Sequence, residues 1–192
     1  MSKITYESVL IIGMGLIGSS IARVLKQKKI SKKIFGLDKD NKVLTISKNL
    51  QIVDEIENDL KKYKQQFDII FICTPLSSYK NIFNQLNSFV TEKTLVTDVG
   101  STKASVVEDF KKSIDNKKVL FVPAHPIAGL EKSGPEFGFA KLFKNRYCIL
   151  TPIETGGELT KLISNIWESF GMIVEIMEPK HHDRVLAMTS HI

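Results

Sequence analysis

Short runs of apolar residues, each followed by a stretch with apolar positions spaced three and four apart, repeat along most of the chain. Runs of this kind, bounded by turn formers, predict strands covered on both faces, and the stretches between them predict helices. The strands fall at Ser8–Ile12, Lys33–Asp38, Phe67–Cys73, Thr94–Asp98, Val119–Val122, Arg146–Thr151 and Met172–Ile176. Helices are expected near Asn41–Asn49, Ser77–Leu86, Ala104–Ser113 and Gly157–Phe170, with a first one directly after Gly18. Alternation of strand and helix predicts an α/β fold with a doubly wound, mostly parallel sheet. The charged segment from Asp54 to Gln66 reads as surface. In the last of these helices Leu159, Leu162, Ile163, Ile166, Trp167 and Phe170 share one face, so they are core. A new helical pattern opens at Pro179 and runs to Ile192. Its start predicts a domain boundary near residues 176–180, with 1–178 as the first domain, and its interruption in mid-helix predicts a fragment of a longer protein.

At 192 residues and 43% hydrophobic, the chain supports one good core and the beginning of a second domain. No apolar run approaches the roughly 18 residues of a membrane span. Met1–Thr5 lead straight into the first strand, leaving no room for a signal peptide, so a cytoplasmic protein without membrane contact is expected. Cys73 and Cys148 lie among strand formers and read as small buried hydrophobes. The net charge of +6 comes from scattered lysine pairs such as Lys28-Lys29 and Lys61-Lys62. Basic residues interleaved with aromatics on one element are absent, which speaks against nucleic acid, although a positive surface attracts anionic ligands.

The first strand breaks into Gly13-Met14-Gly15-Leu16-Ile17-Gly18. In such a turn Gly13 permits the sharp bend, Gly15 admits a pyrophosphate close to the backbone, and Gly18 lets the helix that follows sit against the strand. Asp38 follows 20 residues after Gly18, at the end of the second strand, where a carboxylate accepts hydrogen bonds from an adenosine ribose and repels a 2′-phosphate. The expected fold is therefore Rossmann-like and the expected cofactor NAD. Cys73, Thr74 and Pro75 end the central strand, where they either contact a ribose through the backbone or simply turn the chain. Gly100 and Ser101 follow the next strand. Ser101 is placed to cap the helix after it or to serve in chemistry. From Pro123 to Pro135 three prolines and two glycines exclude continuous regular structure, so His125 is expected in a long, fixed loop. His181, His182 and His191 fit no common metal-ligand spacing, and no metal is expected.

Five blocks, taken in order, resemble the prephenate dehydrogenase family: Gly13–Gly18 with Asp38, Cys73-Thr74-Pro75, Thr97–Lys103, His125–Gly129 with Glu131–Gly134, and His182-Asp183 with Ser190-His191. The histidine block is the most specific of them. The resemblance implies NAD-dependent oxidative decarboxylation of prephenate to 4-hydroxyphenylpyruvate, in tyrosine biosynthesis. It places His125 on the catalytic histidine and Ser101 on a serine that orients it. It puts Glu131 near the pocket mouth and Ser190 and His191 on the substrate side. The cofactor set it implies is completed by Leu16, Ile17 and Gly100. It further implies that 179–192 begins a helical dimerisation and substrate domain, and that the full-length protein is a homodimer. Arogenate dehydrogenase, with the same motifs, is the nearest alternative. A β-hydroxyacid dehydrogenase and a non-catalytic NAD-binding module are more distant ones.

Overall fold

At Gly13 the chain leaves its first strand with φ +97°, and an added Cβ would stand 2.7 Å from the Cys73 backbone. At Gly18 a Cβ would stand 2.0 Å from the Gly13 carbonyl oxygen. Only glycine at both positions allows the turn and the close strand–helix contact that set the rest of the sheet. The computed structural model describes residues 5–90, 94–114, 119–153 and 157–189. Strand β1 (Tyr6–Ile12) lies in the middle of a six-stranded parallel sheet with β2 (Ser31–Leu37), β3 (Glu55–Glu57), β4 (Ile69–Ile72), β5 (Leu95–Asp98) and β6 (Leu120–Val122). The order β3-β2-β1-β4-β5-β6 is that of a dinucleotide-binding sheet, reversing direction between β1 and β4. Ile12 pairs with Leu37 and Ile72, and Ile72 with Asp98, so the carboxyl ends form one edge. Gly13, Asp38, Cys73 and Val99 therefore line up as the first residues beyond it.

The helices are α1 (Leu16–Lys28), α2 (Asn41–Asn49), α3 (Tyr79–Phe89), α4 (Ala104–Ser113), α5 (Glu158–Ser169) and α6 (Pro179–Thr189). Alternate residues of β1 serve two cores. Val9 and Ile11 pack with α1 and α5, whereas Leu10 and Ile12 pack with α3 and the side chains of Leu60, Tyr63 and Phe67. On the first face Trp167 meets Phe71 edge-on at 5.9 Å, as expected of a core tryptophan. No helix among the described residues is long and apolar enough to cross a membrane.

Three features differ from the sequence reading. The charged segment after Asp54 contains an edge strand, β3, and then Leu60 and Tyr63, both buried. Tyr63 packs edge-on against Phe35 and Phe67 and donates to the Gly36 carbonyl at 2.9 Å. A three-residue strand carrying two glutamates has too little periodicity to be seen in sequence. Secondly, the stretch expected as a loop from Pro123 begins with a strand, β7 (Ala124–Pro126). Its antiparallel partner is β8 (Tyr147–Leu150), which pairs in parallel with β9 (Ile173–Ile176) to form a separate three-stranded sheet. Proline is accommodated because β7 is an edge strand. Lastly, α6 packs on α4 and buries His182 completely.

Candidate active site

The carboxyl ends of β1, β2 and β4 open into a cleft of about 720 Å³, lined by Gly13, Gly15, Asp38, Thr74 and Pro75 and by the segment 58–61. A Cβ on Gly15 would meet nothing within 4 Å, so the backbone there is open to a ligand. No side chain caps α1 at Gly15, leaving the first-turn N–H groups around half-buried Leu16 and Ile17 for an anion. Asp38 is held at the rim, its Oδ2 accepting from the Met14 N–H at 2.8 Å and its Oδ1 from the Asp40 N–H at 3.0 Å. The Thr74 hydroxyl is buried with no hydrogen-bond partner among the described residues. An orphaned hydroxyl on a cleft wall, beside an open backbone and an anchored carboxylate, fits a polar ligand with hydroxyls and phosphates, as a dinucleotide is. Pro75 is exposed at the turn that follows. Cys73 and Cys148 are free thiols, and burial pushes both well above the ordinary thiol range, so neither is a nucleophile.

Beside this edge lies a buried polar network. Asp98, at the end of β5, is fully buried and accepts four hydrogen bonds. Its Oδ2 takes the Gly100 N–H at 2.8 Å, the Tyr79 hydroxyl at 3.0 Å and the Lys103 ammonium at 2.5 Å. Its Oδ1 takes the Ala124 N–H at 3.0 Å. Lys103, equally buried, also donates to the Ala124 carbonyl at 2.8 Å. Burial draws Lys103 below the usual lysine range and Asp98 opposes that fall. Both backbone groups of Ala124 are thus clamped, and the next residue is His125.

His125 is half-buried. Its Nδ1 lies 2.9 Å from Nε2 of His182, whose Nδ1 lies 2.7 Å from Oδ1 of Asp183. The Asp183 carboxylate accepts from the backbone N–H of Lys103 at 2.8 Å and of Ala104 at 2.9 Å. Partial burial works to raise the Asp183 carboxyl, but the Ala104 and Lys103 donors and His182 outweigh it and hold it below the usual carboxylate range. Burial first, then the positive charge of Lys103, pushes His125 down to about 4. It is therefore neutral at pH 7, with Nε2 bonded to none of the described residues.

Of the residues singled out in sequence, Gly13, Gly15, Asp38, Thr74 and Pro75 come together at the cleft, while Gly100 bonds to Asp98. Ser101 is not the cap of α4, and among the described residues it makes no hydrogen bond to His125. It is exposed, makes no hydrogen bond to a described residue, and precedes Lys103, the N-cap of α4, by two residues. The cap is supplied by Asp183, 80 residues away, and the partner of His125 is His182. Glu131 is exposed on the loop. Ser190 and His191 lie outside the described residues. Asp98, Lys103, His182 and Asp183 were not expected in the site. A carboxylate at the end of an apolar strand with a lysine five residues on was the available signal for the first pair.

Residues 21–176 match the family described as prephenate dehydrogenase, nucleotide-binding domain. The chain is 36% identical over 186 residues to the prephenate dehydrogenase of Lactococcus lactis, covering 96% of this chain and 50% of that protein. It is 32% identical over 188 residues to the cyclohexadienyl dehydrogenase of Zymomonas mobilis, covering 97% of this chain and 64% of that one. Its fold superposes on prephenate dehydrogenase from Aquifex aeolicus, solved in complex with hydroxyphenyl propionate and NAD+, with a TM-score of 0.89 at 33% identity, over 96% of this chain and 64% of the other. The chain thus spans between half and two thirds of the length of these relatives. A dinucleotide-type strand order, a glycine turn facing an anchored carboxylate and a family match over most of the length agree, and the chain belongs to the prephenate dehydrogenase family, of which it carries the nucleotide-binding domain.

Proposed function

We propose that this chain is the NAD-binding part of an enzyme that converts prephenate to 4-hydroxyphenylpyruvate with loss of carbon dioxide. The observation that carries this reading is His125: a neutral imidazole on a clamped strand, with one ring nitrogen engaged by His182 and the other bonded to none of the described residues. As hydride leaves the ring carbon bearing the hydroxyl, electron density must come from that oxygen, so its proton needs an acceptor. Nε2 of His125 is suited to that part near pH 7. Bound in the cleft, NAD supplies the hydride acceptor. Gly13, Gly15 and the first turn of α1 would hold its pyrophosphate, Asp38 its adenosine ribose, and Thr74 a second hydroxyl-bearing portion. Aromatisation drives out the carboxylate, so the chemistry makes no call on a metal.

The test is formation of reduced nicotinamide, by absorbance, when prephenate and NAD are added to this chain and to a protein extended beyond Ile192. Absence of signal in both refutes the reading. The relative named cyclohexadienyl dehydrogenase favours one second reading, acceptance of arogenate, and comparing turnover of the two substrates decides between them. In the same proposal 179–192 begins a helical domain, Ser190 and His191 lie on the substrate side, Glu131 stands near the pocket mouth, and the full protein is a cytoplasmic homodimer. Sedimentation of the extended protein checks the dimer.

Two further results are expected. Asp38→Ala weakens NAD binding about tenfold and narrows the preference over NADP, because it removes a ribose acceptor and also frees the Met14 N–H. Titration with both cofactors checks this, and unchanged affinities would contradict the role given to Asp38. The second concerns pH. His125 binds its proton at about 4 in the fold and at roughly 6.5 when unfolded, so between these values the unfolded chain holds more protons. Its contribution to stability is whole above pH ~6.5 and is lost as pH falls toward 4. The gap in melting temperature between the unsubstituted chain and His125→Asn should therefore narrow on acidification across that window.

A further inference from the structure

The line of side chains from Asp183 through His182 to His125 dictates where the protons on both imidazoles sit. Asp183 accepts two backbone N–H groups at the N-terminus of α4, one on each oxygen. Those donors and the positive end of the helix keep it ionised. An ionised carboxylate can only accept, so the short contact from Oδ1 requires a proton on Nδ1 of His182. A neutral His182 then has its lone pair on Nε2, and the 2.9 Å contact to His125 requires a proton on Nδ1 of His125. Nε2 of His125 is left bare. The opposite arrangement, a proton on His182 Nε2 at rest, would force the His125 proton onto Nε2 and remove the base.

We infer that His182 and Asp183 are positioning residues that lock His125 in the tautomer with an unprotonated Nε2, and that His182 takes over the proton that Nε2 accepts. The lock stands on geometry alone, while its catalytic consequence rests on the function proposed above. In the step the substrate O–H bond breaks and a bond from Nε2 of His125 to the proton forms. At the other side of the ring the Nδ1–H bond of His125 breaks and an Nε2–H bond on His182 forms. No electrons change hands in this transfer. The positive charge ends on His182 against the Asp183 carboxylate. Left on His125, it would face Lys103, the residue before α4, with the uncharged Cys148 thiol of the neighbouring strand offering no compensation. His182 is fully buried and Asp183 is 28% exposed, so the charge is neutralised inside the fold and the carboxylate still reaches water.

The experiment is nitrogen-15 NMR of the four histidines in the free chain near pH 7, assigned by single substitutions, with turnover measured in parallel on the extended protein. The unsubstituted chain should show His125 protonated on Nδ1 and bare on Nε2. His182→Phe keeps the ring volume but removes the acceptor. Asp183→Asn keeps the shape, yet offers an amide N–H that can reverse the His182 tautomer. Both should raise the Nε2-protonated form of His125 and lower kcat about 100-fold while leaving NAD affinity unchanged. A melting curve on each variant establishes that it folds, and Asp183→Asn serves if His182→Phe does not. The lock is overturned if His125 carries its proton on Nε2 in the unsubstituted chain, or if neither substitution shifts the tautomer. A shifted tautomer with normal kcat overturns the proton transfer. If the lock is observed and the extended protein is inert toward both prephenate and arogenate, the proposed function fails and the lock stands.

Discussion

His125→Asn is expected to lower kcat for prephenate oxidation by about 1,000-fold, within the range that general acid–base groups contribute, and to leave NAD affinity unchanged. Asparagine suits this purpose because its amide nitrogen lies near the place of Nδ1 and can still donate to Nε2 of His182. The strand itself is held by Ala124, whose N–H and C=O are both bonded to the buried Asp98–Lys103 pair, so the substitution removes Nε2 without loosening its support. A variant that retained a kcat within a few-fold of the parent would rule out His125 as proton acceptor. A loss confined to KM would instead make it a substrate-binding group.

Asp98→Ala is expected to destabilise the fold by about 3–5 kcal/mol, because removing one member of a buried ion pair strands the other. Lys103 has no exposed surface to which its charge could move, and the N–H groups of Ala124 and Gly100 and the Tyr79 hydroxyl lose their acceptor together. For a chain of this length the melting temperature should fall by roughly 10 °C. The double variant Asp98→Asn with Lys103→Met should recover part of that loss, since a neutral pair of similar volume avoids both desolvation penalties. A shift of less than about 2 °C in the single variant would mean that the pair is dispensable to stability. Between them the two substitutions separate the chemistry of His125 from the scaffold that presents it.

The helices Asn41–Asn49 and Ala104–Ser113 have the limits that their spacing and flanking turns suggest, and the glycine turn lies where its motif places it. These are properties of local order: period, turn chemistry, and the two glycines at which a Cβ would collide with backbone. The capping role expected of Ser101 is the instructive failure. A serine near a helix start is a reasonable cap, but the N-terminus of α4 is already taken by a carboxylate from α6, which satisfies two N–H groups at once and carries charge. Local sequence cannot reveal a competitor 80 residues away. Nor could it separate the strands of the main sheet from β8 and β9, since both kinds present the same apolar runs and only hydrogen-bond partners distinguish them.

What the sequence determined alone was the α/β class, the dinucleotide turn with its acidic partner, and the histidine held between Ala124 and Pro126. Each rests on residues close together in the chain, whose backbone preferences and side-chain chemistry act within a turn or two. The tertiary structure decided what those residues do to one another. It brought Asp98 and Lys103 against the strand of His125, and it set His182 and Asp183 behind the imidazole. Burial and charge act through space, so the protonation state of His125 depends on neighbours as far along the chain as Asp183.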